Sequence, residues 1–301
     1  MSLSGVLILD KPAGLTSHDV VQRVRRHLRT KKVGHAGTLD PDVTGVLVLC
    51  IGDATKLIEY ATAEDKVYEG TVCFGMSTDT DDASGEVTAR ASACRLTRDA
   101  IERAAAEFIG LHPQVVPKYS AVHVGGKRAY EYARAGLDVT MPTRMVEIHE
   151  LVVSDFSPGD VATADFQVKC SKGTYVRALC RDWGEKVGIP AHMKALRRTA
   201  SGPFRIHEAV SLEAFESSPS PEQFLLPAVA AVRSLQKCTV SRADADKLAQ
   251  GQAVSITGMQ PAPQVAVLVD SGDLVCVAHA VGRGTRQVVL KPRKVFWKRD
   301  R

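Results

Sequence analysis

The chain has 301 residues, 45% hydrophobic and 24% charged, with 39 Lys and Arg against 34 Asp and Glu for a net charge of +5. This length and apolar share suit one large and one small folded domain and exclude a disordered or fibrous chain. No apolar run approaches bilayer-spanning length and the first residues lack a charged-then-apolar leader, so the reading is a cytoplasmic protein without a membrane segment.

In chain order, Val6 to Leu9 reads as a short strand, followed by the turn Lys11-Pro12-Ala13-Gly14. Thr16 with Asp19 forms a capping-box pattern ahead of a helix that turns Val20, Val21, Val24 and Leu28 inward and arginines outward. Gly34-His35-Ala36-Gly37-Thr38-Leu39-Asp40-Pro41 reads as a turn: its glycines permit unusual backbone angles, and Pro41 pushes Asp40 toward an extended conformation. The unbroken apolar run Val46 to Ile51 then predicts a strand buried on both faces. Asp40 is therefore a carboxylate presented on constrained backbone next to a core strand. Read alone, the same segment is also an ordinary Asp-Pro turn.

Lys66 to Phe74 alternates like a half-exposed strand. Thr97 caps a helix with Ile101, Ala104, Ala105, Phe108 and Ile109 on one side, ended by Gly110. From 116 to about 147 the character changes. Lys118, Lys127, Arg128, Arg134 and Arg144 interleave with Tyr119, Tyr130 and Tyr132, a mixture suited to phosphates and stacked bases. Phe166, Val168 and Cys170 alternate as an amphipathic strand. Gly173-Thr174 turns into a helix with Val176, Leu179, Cys180, Trp183 and Val187 at helical spacing. Ser217 to Gln223 is loop-like, and the domain boundary is placed near Gln236. Beyond it, Ser241 and Asp244 cap a short helix ended by Gly251, and Val265 to Val269, Leu274 to Ala280 and Gln287 to Leu290 read as strands.

Basic residues cluster twice: Arg23, Arg25, Arg26, Arg29, Lys31 and Lys32 just before Asp40, and Lys291, Arg293, Lys294, Lys298, Arg299 and Arg301 at the end. Such clusters attract polyanions. The seven cysteines are odd in number and none has C-x-x-C spacing, so they read as buried thiols and not as disulfides or zinc ligands. The acid-rich Asp79 to Gly85 segment fails as a calcium loop, with Ser84 where glycine is needed and Arg90 where glutamate is needed. No dinucleotide or P-loop motif is present, and no metal or cofactor is called for.

Four ordered segments, Leu9 to Val21, Gly34 to Leu47, Lys66 to Gly85 and Lys172 to Arg198, with Tyr119 to Gly136 as a fifth, resemble the TruB-type bacterial tRNA pseudouridine synthases. The resemblance implies an α+β fold: a catalytic domain on a curved, mainly antiparallel sheet, residues 1–236, with an RNA-gripping insertion at about 116–147. Residues 237–301 resemble a small β-rich PUA-like RNA-binding domain by position, size and basic ending. The implied reaction converts the T-loop uridine of tRNA, position 55, to pseudouridine, without a cofactor or an obligate protein partner and as a monomer.

By motif, the resemblance makes Asp40 the catalytic aspartate. Tyr68 is the ring that stacks on the target base. It puts Tyr175 and Leu196 in the base pocket, Arg177 against an acidic group that Asp82 fits, and His35 near the flipped-out base. Lys11, Lys56, Lys127 and Arg128 are the implied RNA-backbone contacts. His123, Lys118 and Val43 depart from the family pattern, which bears on the RNA grip and on packing.

The chemistry fits those residue types. Breaking the N1–C1′ bond, turning the uracil and joining C5 to C1′ is an isomerisation. It needs a carboxylate that can act as nucleophile or base. Unstacking the uridine costs a few kcal/mol, and stacking on an aromatic returns roughly 1–3 kcal/mol. Three other readings stand beside it. A glycosidase using Asp40 and Asp42 leaves the basic clusters unexplained. A guide-RNA-dependent synthase shares the catalytic residues but is expected to lack the long insertion. An RNA-binding or tRNA-folding module would make catalysis secondary.

Overall fold

The computed structural model describes residues 3–283 and 287–298, so Arg299 and Arg301 of the terminal basic cluster lie outside the described residues. The apolar run after Asp40 forms the Thr44–Ile51 strand, and its alternate residues serve two different cores. Leu47, Leu49 and Ile51 pack with Val20, Val24, Phe74 and Trp183. Val46, Val48 and Cys50 pack on the other face with Val6, Phe204, Ala266 and Val277. A strand buried on both faces has no polar side to present, which is why its sequence lacks alternation.

Around it the chain builds a ten-stranded sheet. Its main path runs Val210–Ser211, Gly5–Lys11, Thr44–Ile51, Ala191–Ser201, Lys66–Phe74, Ala162–Cys170, Thr143–Ser157, Gly110–Val115. Most neighbours are antiparallel. The exceptions are a short parallel contact of Gly5–Lys11 with Val210–Ser211 and the pairing of Arg197 and Arg198 with Thr44 and Gly45. That parallel contact forces glycine at 45. Its φ is +103°, and a Cβ there would sit 2.2 Å from the Arg198 carbonyl oxygen.

The Ser17–His27 helix starts with the capping box expected of Thr16 and Asp19. Thr97 caps the Arg98–Ala106 helix, but Gly110 does not end it. The helix stops at Ala106, Ile109 is 48% exposed, and Gly110 opens the next strand. The Val176–Val187 helix buries Trp183 against Phe74 and Phe166, edge to face, and ends at Gly188 in the left-handed region.

The segment from 116 onward leaves the sheet between the paired strands Gly110–Val115 and Thr143–Ser157, and Val116 N–H donates to the Pro142 carbonyl at 3.1 Å across its neck. The excursion therefore closes at 142, and residues 143–147 belong to a strand. It carries a two-strand hairpin, His123–Val124 with Lys127–Arg128, and the Ala129–Arg134 helix. The loop-like stretch near 217–223 leads to Leu226, which returns to pair with Val6.

A second, five-stranded sheet follows, in the order Gln236–Thr239, Ala262–Leu268, Leu274–Arg283, Gln287–Val295, Val254–Thr257, with the Ser241-capped helix Arg242–Ala249 against it. Ala266, Leu274 and Val277 join the core beneath the Thr44–Ile51 strand, so the two sheets share apolar packing. The two basic clusters of the sequence meet there: Lys32, Lys56 and Lys298 all lie within 4 Å of Asp53. No helix among the described residues is long and apolar enough to cross a membrane.

Candidate active site

Residues Gly37 to Pro41 form the loop entering the Thr44–Ile51 strand, and each is held from behind. Arg198, 1% exposed, donates from Nη2 to the Gly37 carbonyl (3.2 Å), from Nη1 to Thr38 (3.3 Å) and from Nε to Val46 (2.7 Å). The Ser17 hydroxyl donates to the Leu39 carbonyl at 3.1 Å and accepts from the Leu39 N–H at 2.9 Å. The Pro41 carbonyl accepts from Lys11 Nζ at 2.8 Å and from the Gly14 N–H at 3.0 Å. Asp40 turns its carboxylate outward, 40% exposed, and receives Arg177 Nε at 2.8 Å.

Arg177 is 4% exposed although it sits in the first turn of its helix, where a cation opposes the helix dipole. The unfavourable placement is offset by three acceptors. Besides Asp40, Nη1 reaches the Thr80 carbonyl at 3.1 Å and Nη2 the Tyr119 carbonyl at 2.9 Å. Asp82, the expected acidic partner, forms a second, longer ion pair, with Oδ2 3.9 Å from Nε and its Oδ1 bonded to Thr80 and Ser84. Asp40 holds the closer position because the clamped loop delivers it there.

In front of this pair opens a cleft of about 670 Å³. Asp40, Arg177, Tyr68, Tyr175, Leu196 and His35, six residues singled out in the sequence, all line it. Tyr68 is buried, and burial pushes its phenol pKa up against the pull of Arg198, so it stays neutral near pH 7. The Tyr175 ring has guanidiniums on it, Arg144 at 5.2 Å and Arg177 at 5.6 Å. His35 has its pKa lowered by burial and by the nearby Arg198 charge, and its Nδ1 is buried without a hydrogen-bond partner.

Among the described residues Asp40 is the only carboxylate lining the cleft, while Lys66, Arg134, Arg144, Lys172, Arg177 and Arg198 also line it. Three buried cations around the loop, Lys11, Lys66 and Arg198, hydrogen-bond to backbone carbonyls. Burial lowers both lysines to about 8. A lining with several cations against a single carboxylate favours anions.

Lys11 is a correction. It is 0% exposed, with its ammonium satisfied by the Pro12, Leu15 and Pro41 carbonyls, so it holds the loop and cannot reach an RNA backbone. Lys56 lies outside the cleft, beside Asp53 with its ammonium over the Phe296 ring. Lys127 and Arg128 are exposed on the insertion hairpin, also outside the cleft lining.

Arg198, Lys66 and Ser17 received no individual role from the sequence. For Arg198 a signal existed: adjacent arginines on one strand must point to opposite faces. Arg197 turns the other way, to Asp10 at 2.7 Å.

Comparison with known proteins gives the family of the chain. Residues 25–176 match the family described as TruB family pseudouridylate synthase (N terminal domain), and residues 177–233 match the tRNA pseudouridylate synthase B C-terminal domain. The chain is 44% identical to tRNA pseudouridine synthase B of Bacillus cytotoxicus, over 98% of this chain and 97% of that one. It is 43% identical to the enzyme of that name from Geobacillus thermodenitrificans, over 98% and 100%. Among solved structures, a chain of a Cbf5-Nop10-Gar1 complex superposes with TM-score 0.75 at 25% identity, covering 98% of this chain and 85% of that one. An archaeal box H/ACA sRNP Nop10-Cbf5 complex gives 0.72 at 25%, covering 99% and 88%. On these matches, the chain belongs to the TruB family of pseudouridylate synthases.

Proposed function

We infer that this protein is a tRNA pseudouridine synthase, which isomerises a uridine of tRNA to pseudouridine. The observation that carries the reading is a lone carboxylate, Asp40, fixed by a buried arginine at the floor of a cleft lined by an aromatic ring, a leucine and cations. Such a site suits a reaction with one acid group and no external reactant. The N1–C1′ bond breaks, the uracil turns while held, C5 joins C1′, and the C5 hydrogen leaves as a proton while N1 gains one. Attack on C1′ and removal of a sugar proton both start from the same carboxylate.

The remaining assignments extend that reading. The target is the T-loop uridine at position 55. It is extruded into the cleft with Tyr68 against its face, Leu196 and Tyr175 around its edge, and His35 near the space it vacates. Asp82 tunes Arg177 from 3.9 Å. Lys127 and Arg128 on the hairpin, with Lys56 at the Asp53 junction, contact phosphates. The catalytic unit spans 1–236, and 237–301 form a PUA-like RNA-binding unit that adds Lys237, Lys291 and Arg293 to the basic surface. The enzyme acts as a monomer in the cytoplasm, with no guide RNA. The 44% identity to an enzyme named singly as tRNA pseudouridine synthase B supports this over the 25% likeness to a chain of a Cbf5-Nop10-Gar1 complex.

The test is conversion of an isolated T-arm hairpin RNA by the purified protein alone, with the modified position mapped by mass spectrometry. Conversion at the T-loop uridine supports the assignment. A requirement for added guide RNA, or conversion elsewhere, contradicts it.

A further inference from the structure

The residue that joins the insertion to the catalytic carboxylate is Tyr119, at the insertion's root. Both ends of it are engaged. Its hydroxyl donates to Asp79 Oδ2 at 3.1 Å, and its carbonyl accepts Arg177 Nη2 at 2.9 Å. Asp79 belongs to the acidic turn whose next residue, Thr80, supplies the carbonyl for Arg177 Nη1. The turn is itself braced: Asp79 Oδ1 accepts the Glu86 N–H at 2.8 Å, and a Cβ on Gly85 would lie 2.3 Å from that oxygen. The acidic turn, the insertion root and the Asp40 loop therefore converge on one guanidinium.

We propose that Tyr119 is a positioning residue: its hydroxyl bond to Asp79 sets the insertion root so that its carbonyl orients Arg177 toward Asp40. The physical basis is directional. A guanidinium offers its donors in a fixed planar fork, so fixing the outer Nη2 and Nη1 fixes where Nε points. Removing the Tyr119 hydroxyl leaves the ring in the cleft but loosens the root, and Arg177 loses the restraint on one arm. The consequence is that the segment gripping RNA also adjusts the catalytic ion pair. RNA seated on the hairpin and geometry at Asp40 become linked through one side chain.

This proposal rests on the synthase reading above, and the wild-type control separates the two. The wild-type rate tests the substrate assignment; only ratios of variant to wild type test Tyr119. The variants are Tyr119→Phe, Asp79→Ala and the double variant. Asp79 is exposed and lies outside the cleft lining, and the Tyr119 hydroxyl bond is solvent-exposed, so all three should fold. Single-turnover conversion of T-arm RNA is measured at saturating enzyme, together with RNA Kd.

Each single variant is expected to slow conversion by about 5- to 10-fold, the scale of one hydrogen bond, with Kd within twofold of wild type. The double variant is expected to be no slower than the slower single variant, because both remove the same bond. Wild-type rates in both singles, losses that multiply in the double, or a loss seen only in Kd would each overturn the proposal. Multiplying losses would mean that Tyr119 meets the substrate directly.

Discussion

The loop that carries Asp40 and the insertion that follows Val115 are built on opposite principles. From Gly37 to Pro41 every residue is held by a buried partner, and the partners come from two different strands and two helices. From 116 to 142 the chain is tied by its neck bond, by the Arg177 bond to the Tyr119 carbonyl at its root, by a two-strand hairpin and by exposed side-chain contacts such as Lys118 with Asp138. Chemistry needs a reacting group fixed to within a fraction of an ångström. Gripping a large polyanion needs reach and adaptability, which few buried contacts provide.

That contrast can be broken at its rigid end first. Arg177→Met removes, among the described residues, the donor on the Asp40 carboxylate, together with the bonds to the Thr80 and Tyr119 carbonyls. Turnover at saturating RNA should fall by ~10²–10³-fold, read as kcat with the Kd for RNA little changed. A kcat within tenfold of wild type would detach Arg177 from the chemistry. Next is Gly45→Ala, which pushes a Cβ onto the Arg198 carbonyl and demands a positive φ of alanine. Chemical denaturation should show a loss of roughly 1–3 kcal/mol or more. An unchanged midpoint would show that the parallel contact between the two strands yields easily.

At the adaptable end the expected effects are smaller. Lys127→Ala and Arg128→Ala should each weaken RNA binding and lower the salt slope of log Kd by about 1, with saturated turnover kept. An unchanged salt slope would take the hairpin off the RNA path. The smallest effect concerns His35. Burial holds its pKa below the ordinary histidine value, so below about pH 6.5 the unfolded chain binds the proton that the folded chain refuses. Stability from this group is present at neutral pH and is lost as the pH falls through that range. His35→Gln should lose less melting temperature than wild type between pH 7 and pH 5. Parallel losses would show that His35 is not the group that matters.

The difference between the two regions also decides what the sequence revealed. The Val46–Ile51 strand was legible because a run without alternation has one economical structure, burial on both faces. The capping boxes and the turn around Gly37 were legible because they are local. Lys11 was misread because a lysine beside a Pro-Gly turn looks like surface. Only the tertiary fold adds the Pro41 carbonyl to the local Pro12 and Leu15 carbonyls at its ammonium and buries the side chain completely. Arg198 lay hidden in a pair of arginines whose alternate faces are assigned only once the strand has neighbours. The insertion was drawn five residues too long because Thr143 to Glu147 carries Arg144 and is partly exposed, like what precedes it, although it already pairs with Gly110–Val115. That Asp40 stands nearer to Arg177 than Asp82 does is likewise a long-range matter. Asp40 and Arg177 are 137 residues apart, and no local pattern reports their distance.

The account turns on Asp40 as the lone acid of the cleft. Its most direct test is release of tritium from T-arm RNA labelled at uridine C5, comparing wild type with Asp40→Asn, which keeps the shape and removes the charge. The expected result is normal RNA binding with the rate reduced by ~10⁴-fold or more. Tritium release by Asp40→Asn within tenfold of wild type would contradict the account, because no other carboxylate among the described residues lines the cleft to replace it.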